Sequence, residues 1–388
     1  MYAYFDWAAT SPLCPAARDA MQPWLGMRYG NPSSLHRYGK AARLALEEAR
    51  HQVAALMGAD SAEVVFTSGA TEADNLAVRG AAWAMREDRG ARHVVVSAIE
   101  HPAVLRAAQW LEREGFEVDT VAVDTSGVLA TRDVHRILRA DSAVVSVMAV
   151  NNEVGTLQDV AEIAALAHEV GALFHCDAVQ AAACQHVDVH RWGVDLLSLS
   201  SHKIGGPPGA GALFVRRGVT LRPLLVGGEQ ENQRRAGTEN LPALVGFGAA
   251  AAALSEELEA RVKSMTRIGR MLHEGLQQGV PGLQCVADPA SRAPHIACYL
   301  FEGVDAETLL FALDMEGVAV SSGSACSSHT IEPSPVLLAM GFGVARARSA
   351  IRFSWGPTTT EAEVRHLLDV LPPLVERNRL AQRQGAAL

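Results

Sequence analysis

Short apolar runs rich in valine alternate with longer segments of helical period along this chain. Strand-like runs lie at 63–67, 93–97, 117–123, 142–149, 172–176 and 195–200, and helix-like segments at 40–57, 71–87, 102–114 and 159–170. Parallel neighbours in a sheet need a crossover, and crossover helices cover both sheet faces, so the alternation predicts an α/β fold with a largely parallel sheet. Open sheets of this kind bind ligands outside the carboxyl ends of their strands. The residues that follow each run are therefore where chemistry is to be sought.

Beyond Leu241 a helical stretch runs to about residue 279. Its apolar part, Leu241 to Leu254, is short and rich in Ala and Gly, which reads as a buried helix and not a membrane span. Shorter elements follow at 295–301, 305–316 and 350–354, then a final helix from about 361, where Thr360 and Glu363 have the spacing of a capping box. The 388 residues suit two or three domains. A boundary near 255 separates a large domain, 12–254, from a smaller one built of 1–11 and 255–388.

Charge excludes several partners. Acidic residues number 43 against 34 basic ones, giving −9 with no basic block, which suits neither nucleic acid nor an anionic membrane surface. Residues 1–13 hold no basic or apolar leader, and the six cysteines contain no CxxC pair. Reduced thiols in a cytoplasmic protein are the expectation.

Only three of the 34 basic residues are lysines: Lys40, Lys203 and Lys263. Lys40 and Lys263 fall in helical patterns and read as solvated. Lys203 follows a strand, in Ser201-His202-Lys203, ahead of a Gly/Pro-rich turn. Run 63–67 leads into Ser68-Gly69-Ala70-Thr71-Glu72 and a helix, whose free N–H groups suit a phosphate, although an ordinary capped turn would look alike. Asp177 and Gln180 follow run 172–176, Glu100-His101 follows 93–97, and Asn151-Asn152-Glu153 follows 142–149. A phosphate turn, a carboxylate and a lysine on one sheet edge fit pyridoxal phosphate: the amine forms a Schiff base with the aldehyde, and the carboxylate keeps the pyridine nitrogen protonated. Arginine cannot replace that lysine, because its guanidinium stays protonated. Further on, Cys326 sits in Ser321-Ser322-Gly323-Ser324-Ala325-Cys326-Ser327-Ser328-His329, a setting for an accessible thiol or a plain linker. His175, Cys176, Asp177, Cys184, His186 and His190 match no zinc spacing, Asp177 has the better use given above, and no metal is expected.

Together these stretches resemble the group I, NifS/IscS-like pyridoxal-phosphate cysteine desulfurases of the class-V aminotransferase family. The carrying segments are Gly30-Asn31-Pro32-Ser33-Ser34 with His36, FTSGATE (66–72), Glu100-His101, VNNEVGTLQ (150–158), HCDAVQ (175–180), SHK (201–203), RRAGTEN (234–240), SSGSACSS (321–328) and IRFS (351–354). The resemblance implies a fold-type-I transferase: a mainly parallel seven-stranded sheet flanked by helices, plus a smaller α+β domain carrying a catalytic loop at about 321–333. It implies pyridoxal 5'-phosphate on Lys203, with Asp177 at the ring nitrogen, Gln180 at the ring oxygen and His101 stacked on the ring as proton donor. Asn152 would contact cofactor and substrate. Ala70, Thr71, Ser200 and His202 would hold the phosphate, with Thr238 supplied by the partner of a homodimer. Arg352 would clamp the carboxylate of L-cysteine, and Cys326 would accept its sulfur as a persulfide for acceptor proteins such as an iron–sulfur scaffold. Two departures are local: Trp7 stands where an Asn or Tyr is usual, and Ile204 to Gly209 lacks the usual Tyr and Lys. A selenocysteine lyase, another enzyme of this fold type and a non-catalytic sulfur-pathway partner are the competing expectations.

Overall fold

The structure, a computed structural model, describes residues 2–322 and 333–385. Among these, twelve strands form three sheets: β1 (Ala3–Tyr4), β2 (Val64–Thr67), β3 (His93–Ser97), β4 (Glu117–Val121), β5 (Ser142–Ser146), β6 (Leu173–Asp177), β7 (Leu196–Ser200), β8 (Gly211–Val215), β9 (Leu283–Cys285), β10 (Ile296–Phe301), β11 (Val318–Ala319) and β12 (Ala350–Ser354). The main sheet has the order β2-β8-β7-β6-β5-β3-β4. β8 pairs antiparallel with both β2 and β7, and the other neighbours are parallel, so six strands end on one edge.

Every strand-like run of the sequence is a strand of this sheet. Run 142–149 stops as a strand at Ser146, but Val147 N and Ala149 N still donate to the carbonyls of His175 and Asp177, so the chain hugs β6 into the site. β8 (GALFV) is an addition, hidden behind the Gly/Pro-rich turn before it. The helix Thr131–Ile137 is another. The helical pattern at 71–87 contains a wide π-turn, Leu76–Gly80, between Ala70–Asn75 and Ala81–Arg89. Gly80 sits in that turn because a Cβ there would lie 2.7 Å from the carbonyl oxygen of Arg222.

The strands bury both faces. Val95, Val145, Phe174, Leu197 and Phe214 point into one core; Val94, Val96, Val144, Leu196 and Leu213 point into the other. This is the period-2 division expected of a sheet covered twice. The helix Arg37–Met57 covers the first face through Ala42, Leu46, Ala49 and Val53, spaced three and four apart. His36 caps its start through Nδ1, and Gly58 at φ +67° ends it. The helix Leu241–Gly279 is long and apolar enough to cross a membrane, yet its apolar side packs on Arg37–Met57 and Pro15–Met21. It runs unbroken through residue 255.

A smaller antiparallel sheet, β12-β10-β9, lies with the helices Ala306–Met315 and Glu361–Gly385, and β1 pairs in parallel with β11. The last helix starts with the capping box read from sequence: Thr360 N donates to Glu363 Oε2 (2.7 Å) and Glu363 N donates to Thr360 Oγ1 (3.3 Å).

The loop before Thr238 is anchored from inside. Glu231 binds Arg50 bidentately at 2.6 and 2.8 Å and accepts from Phe66 N at 2.8 Å. That anchor holds Glu231, Asn232 and Gln233 at φ of 49°, 55° and 65°, a left-handed run costly for non-glycine residues. Removing either partner would leave a buried charge, a loss of about 3–5 kcal/mol.

Candidate active site

The carboxyl ends of β2, β3, β5, β6 and β7 deliver their following residues to one cavity of about 500 Å³. Ala70, Thr71, His101, Asn152, Asp177, Gln180, Ser200, His202, Lys203 and Arg352 all line it. Thr238 does not; it is exposed on its loop. Cys326 lies outside the described residues. Gln180 and Lys203 also border a second cavity of about 570 Å³, which holds none of the other candidate residues.

Lys203 closes the turn after β7, and its Nζ donates to the carbonyls of Ala8 (2.6 Å) and Ala9 (2.7 Å). His202 faces the same segment, its Nδ1 3.1 Å from Thr10 Oγ1. Burial, helped by the Lys203 charge, brings the His202 imidazole down to about 4, so it is neutral. Gln180 Nε2 donates to Ala8 O (2.9 Å).

At the end of β6, Asp177 Oδ1 accepts from Val179 N at 2.9 Å. Burial pushes its carboxyl up, opposed by that hydrogen bond and by His101 and Lys203. A buried carboxylate raised in this way gains from a nearby cation. His101 caps the helix Pro102–Arg113: its Nδ1 accepts from Ala103 N at 3.1 Å, leaving Nε2 to carry the proton of the neutral ring. Burial lowers the imidazole, with Asp177 opposing and Lys203 adding.

Asn151 and Asn152 divide their work. The buried Asn151 side chain stitches the loop, donating to Ile99 O and accepting from Glu153 N and Val154 N, each at 2.9 Å. Asn152 lines the cavity, and its carbonyl accepts from Arg352 at 2.9 Å.

Glu100 is buried beneath the site. Its Oε1 accepts from Ser97 Oγ and from Met148 N (2.8 Å), tying the end of β3 to the chain beyond β5. Burial raises it from 4.5 to about 8. A carboxyl raised on folding contributes stability that is present below its unfolded value and lost as pH climbs to the folded one. The apoprotein should therefore lose stability between about pH 4.5 and 8 through this group. Thermal melts of Glu100→Gln across that range are expected to show a flatter profile than wild type.

Sequence reasoning passed over two features. Asp74, buried with Oδ1 lacking a hydrogen-bond partner among the described residues and 3.6 Å from His175 Nε2, also lines the cavity, on the helix after the phosphate turn. The segment Asp6–Ser11 touches Arg352, Lys203 and His202. It follows no strand of the main sheet, so the carboxyl-end rule did not point to it; the small residues Ala8-Ala9-Thr10 close after Asp6 were the available signal.

These residues fit pyridoxal phosphate. Gly211 permits a close approach of β8, since a Cβ there would lie 2.6 Å from the Gly69 backbone. The turn it supports presents Ala70 and Thr71 at a helix start, with open space above Gly69. That end, with Ser200 and neutral His202, suits a phosphate. Asp177 suits a protonated ring nitrogen, and Lys203 is the one amine lining the cavity.

Comparisons agree with this geometry. The class-V aminotransferase family matches residues 3–367. The cysteine desulfurase IscS of Dictyoglomus turgidum is 40% identical over 376 residues, covering 97% of this chain and 95% of that protein. A solved NifS-like protein superposes with a TM-score of 0.91 at 34% identity, covering 97% of this chain and all of that one (100%). The structure of SspA in complex with cysteine gives 0.82 at 32% identity, covering 92% and 100%. By fold, site and relatives, the chain belongs to the pyridoxal-phosphate-dependent class-V aminotransferase family, among the proteins similar to cysteine desulfurases.

Proposed function

We propose that this protein is a cysteine desulfurase, taking sulfur from L-cysteine and leaving L-alanine. The observation that carries the reading is the convergence of Lys203, Asp177, His101 and Arg352 on one cavity, in a chain whose relatives bear that name. Bound pyridoxal phosphate would supply an electron sink at the substrate's α-carbon. Ala70, Thr71, Ser200 and His202 would hold its phosphate, Asp177 its ring nitrogen, and Gln180 its ring oxygen.

This chain's own groups do the rest. Arg352 fixes the substrate carboxylate, and Lys203 takes the α-proton on Nζ once its amine is free. His101, neutral with a proton on Nε2, would donate it to Cβ of the carbon skeleton once the Cβ–S bond has broken. Cys326 as thiolate attacks the substrate sulfur: an S–S bond forms, the Cβ–S bond breaks, and its electron pair stays with the carbon skeleton. The persulfide then passes to a protein acceptor, an iron–sulfur scaffold being the leading class.

The working unit is a homodimer in which Thr238 reaches the partner's phosphate site. Exposed Leu25, Met27 and Tyr29, and Leu225 and Val226 on the loop leading to Thr238, support a covered face. The five described cysteines are free thiols, in keeping with a reducing cytoplasm. The holoenzyme is expected to release alanine from L-cysteine; turnover of selenocysteine with cysteine untouched would assign it to lyase chemistry instead.

A further inference from the structure

Arg352 does not stand alone in the cavity wall. Its side chain is 4% exposed, and two fixed acceptors hold its terminal nitrogens: Asp6 Oδ1 at 2.7 Å and Asn152 O at 2.9 Å. Nε is buried and has no hydrogen-bond partner among the described residues. Among the described residues Asp6 is the one carboxylate within ion-pair distance, because Glu153 hydrogen-bonds Ser334 Oγ instead.

Asp6 is itself pinned. It forms a parallel bridge with Ser354, the last residue of β12. Ser354 N donates to Phe5 O (2.8 Å), and Ala8 N donates to Ser354 Oγ (2.9 Å). Tyr4 Oη donates to Asp6 O at 3.1 Å. Arg352 sits in the same strand, and its backbone exchanges hydrogen bonds with Ser321 (2.7 and 3.2 Å). Both partners of the ion pair therefore hang from backbone that is fixed independently.

A guanidinium has five N–H donors in one plane. Holding one N–H of each terminal nitrogen sets the tilt of that plane and leaves their other N–H groups as donors. We propose that Asp6 is a positioning residue for substrate specificity: its carboxylate sets the Arg352 guanidinium so that the α-carboxylate of an amino acid meets a preset edge. This rests on the reading of Arg352 as the carboxylate clamp. The alternative chemistry, Asp6 competing with the substrate for Arg352, has the opposite sign.

The test uses the holoenzyme in four forms: wild type, Asp6→Asn, Asp6→Glu and Arg352→Gln. Two quantities are read, steady-state turnover of L-cysteine and the affinity for L-alanine from titration of the cofactor absorbance. Loss of one charge-assisted contact on the clamp is expected to raise KM and weaken alanine about tenfold in Asp6→Asn, with kcat within about twofold and unchanged melting. Asp6→Glu should recover part of the loss. A KM that is unchanged or lower in Asp6→Asn overturns the inference, as does a joint fall of kcat and melting temperature, which would mark a structural role. If Arg352→Gln leaves both affinities intact, the clamp reading fails and the inference falls with it; if Arg352→Gln weakens both and Asp6→Asn does not, the inference alone fails.

Discussion

Lys203→Arg is expected to give a folded, positively charged site that neither attaches pyridoxal phosphate covalently nor turns over cysteine. The substitution keeps the charge that the Ala8 and Ala9 carbonyls accept. It removes the only property that matters to the chemistry, an amine able to lose its proton and act as nucleophile and base. General-base catalysis alone accounts for about 10²–10⁴ in rate. Adding the lost covalent attachment, kcat should fall by at least about three orders of magnitude. Borohydride trapping followed by peptide mass mapping checks the attachment directly. Cofactor trapped on Lys40 or Lys263, or turnover within tenfold of wild type, would remove Lys203 from its role.

Asp177→Asn should be nearly as damaging to turnover and mild for the fold. An asparagine keeps the shape and can still accept from Val179 N, the bond that orients the native side chain. It cannot hold a protonated ring nitrogen by charge, so the bound cofactor loses its electron-withdrawing form. Loss of one preorganised electrostatic partner in a buried site costs about 10²–10³ in rate. The apoprotein should behave in the opposite sense. Burial raises the Asp177 carboxyl, so the stability its protonated form contributes is lost as pH rises through that raised value. The neutral amide lacks that loss, and apo Asp177→Asn should melt no lower than wild type at pH 8. A variant that melts lower in the apo form while keeping full activity would contradict both halves.

What was legible in the sequence follows from how each residue is placed. Asp177 ends β6, and Lys203, His101 and Asn152 lie in the connections that leave β7, β3 and β5, so periodicity located the strands and the carboxyl-end rule located the residues. The interior partners were not legible. Glu231 reaches Arg50 across 181 positions, and no local pattern announces a contact of that span. Asp6 and the Ala8 and Ala9 carbonyls belong to a segment that precedes the α/β alternation, and main-chain acceptors leave no trace in residue type. β8 was masked because the glycines and prolines before it read as one long turn. Gly211 at its start extends that composition into the strand, because β8 must pass close behind the phosphate turn. The scarcity of lysine was informative for a chemical reason only, since it left Lys203 as the one amine at a strand end.

The most direct measurement is a single turnover of the pyridoxal-phosphate-loaded protein with one equivalent of L-cysteine, quenched in acid and read by alanine quantitation and peptide mass mapping. The account predicts alanine stoichiometric with active sites and one additional sulfur atom on Cys326, with Cys326→Ala retaining the cofactor and carrying no added sulfur. Absence of alanine, or the sulfur found on Cys14, Cys285 or another thiol with Cys326 unmodified, would contradict it.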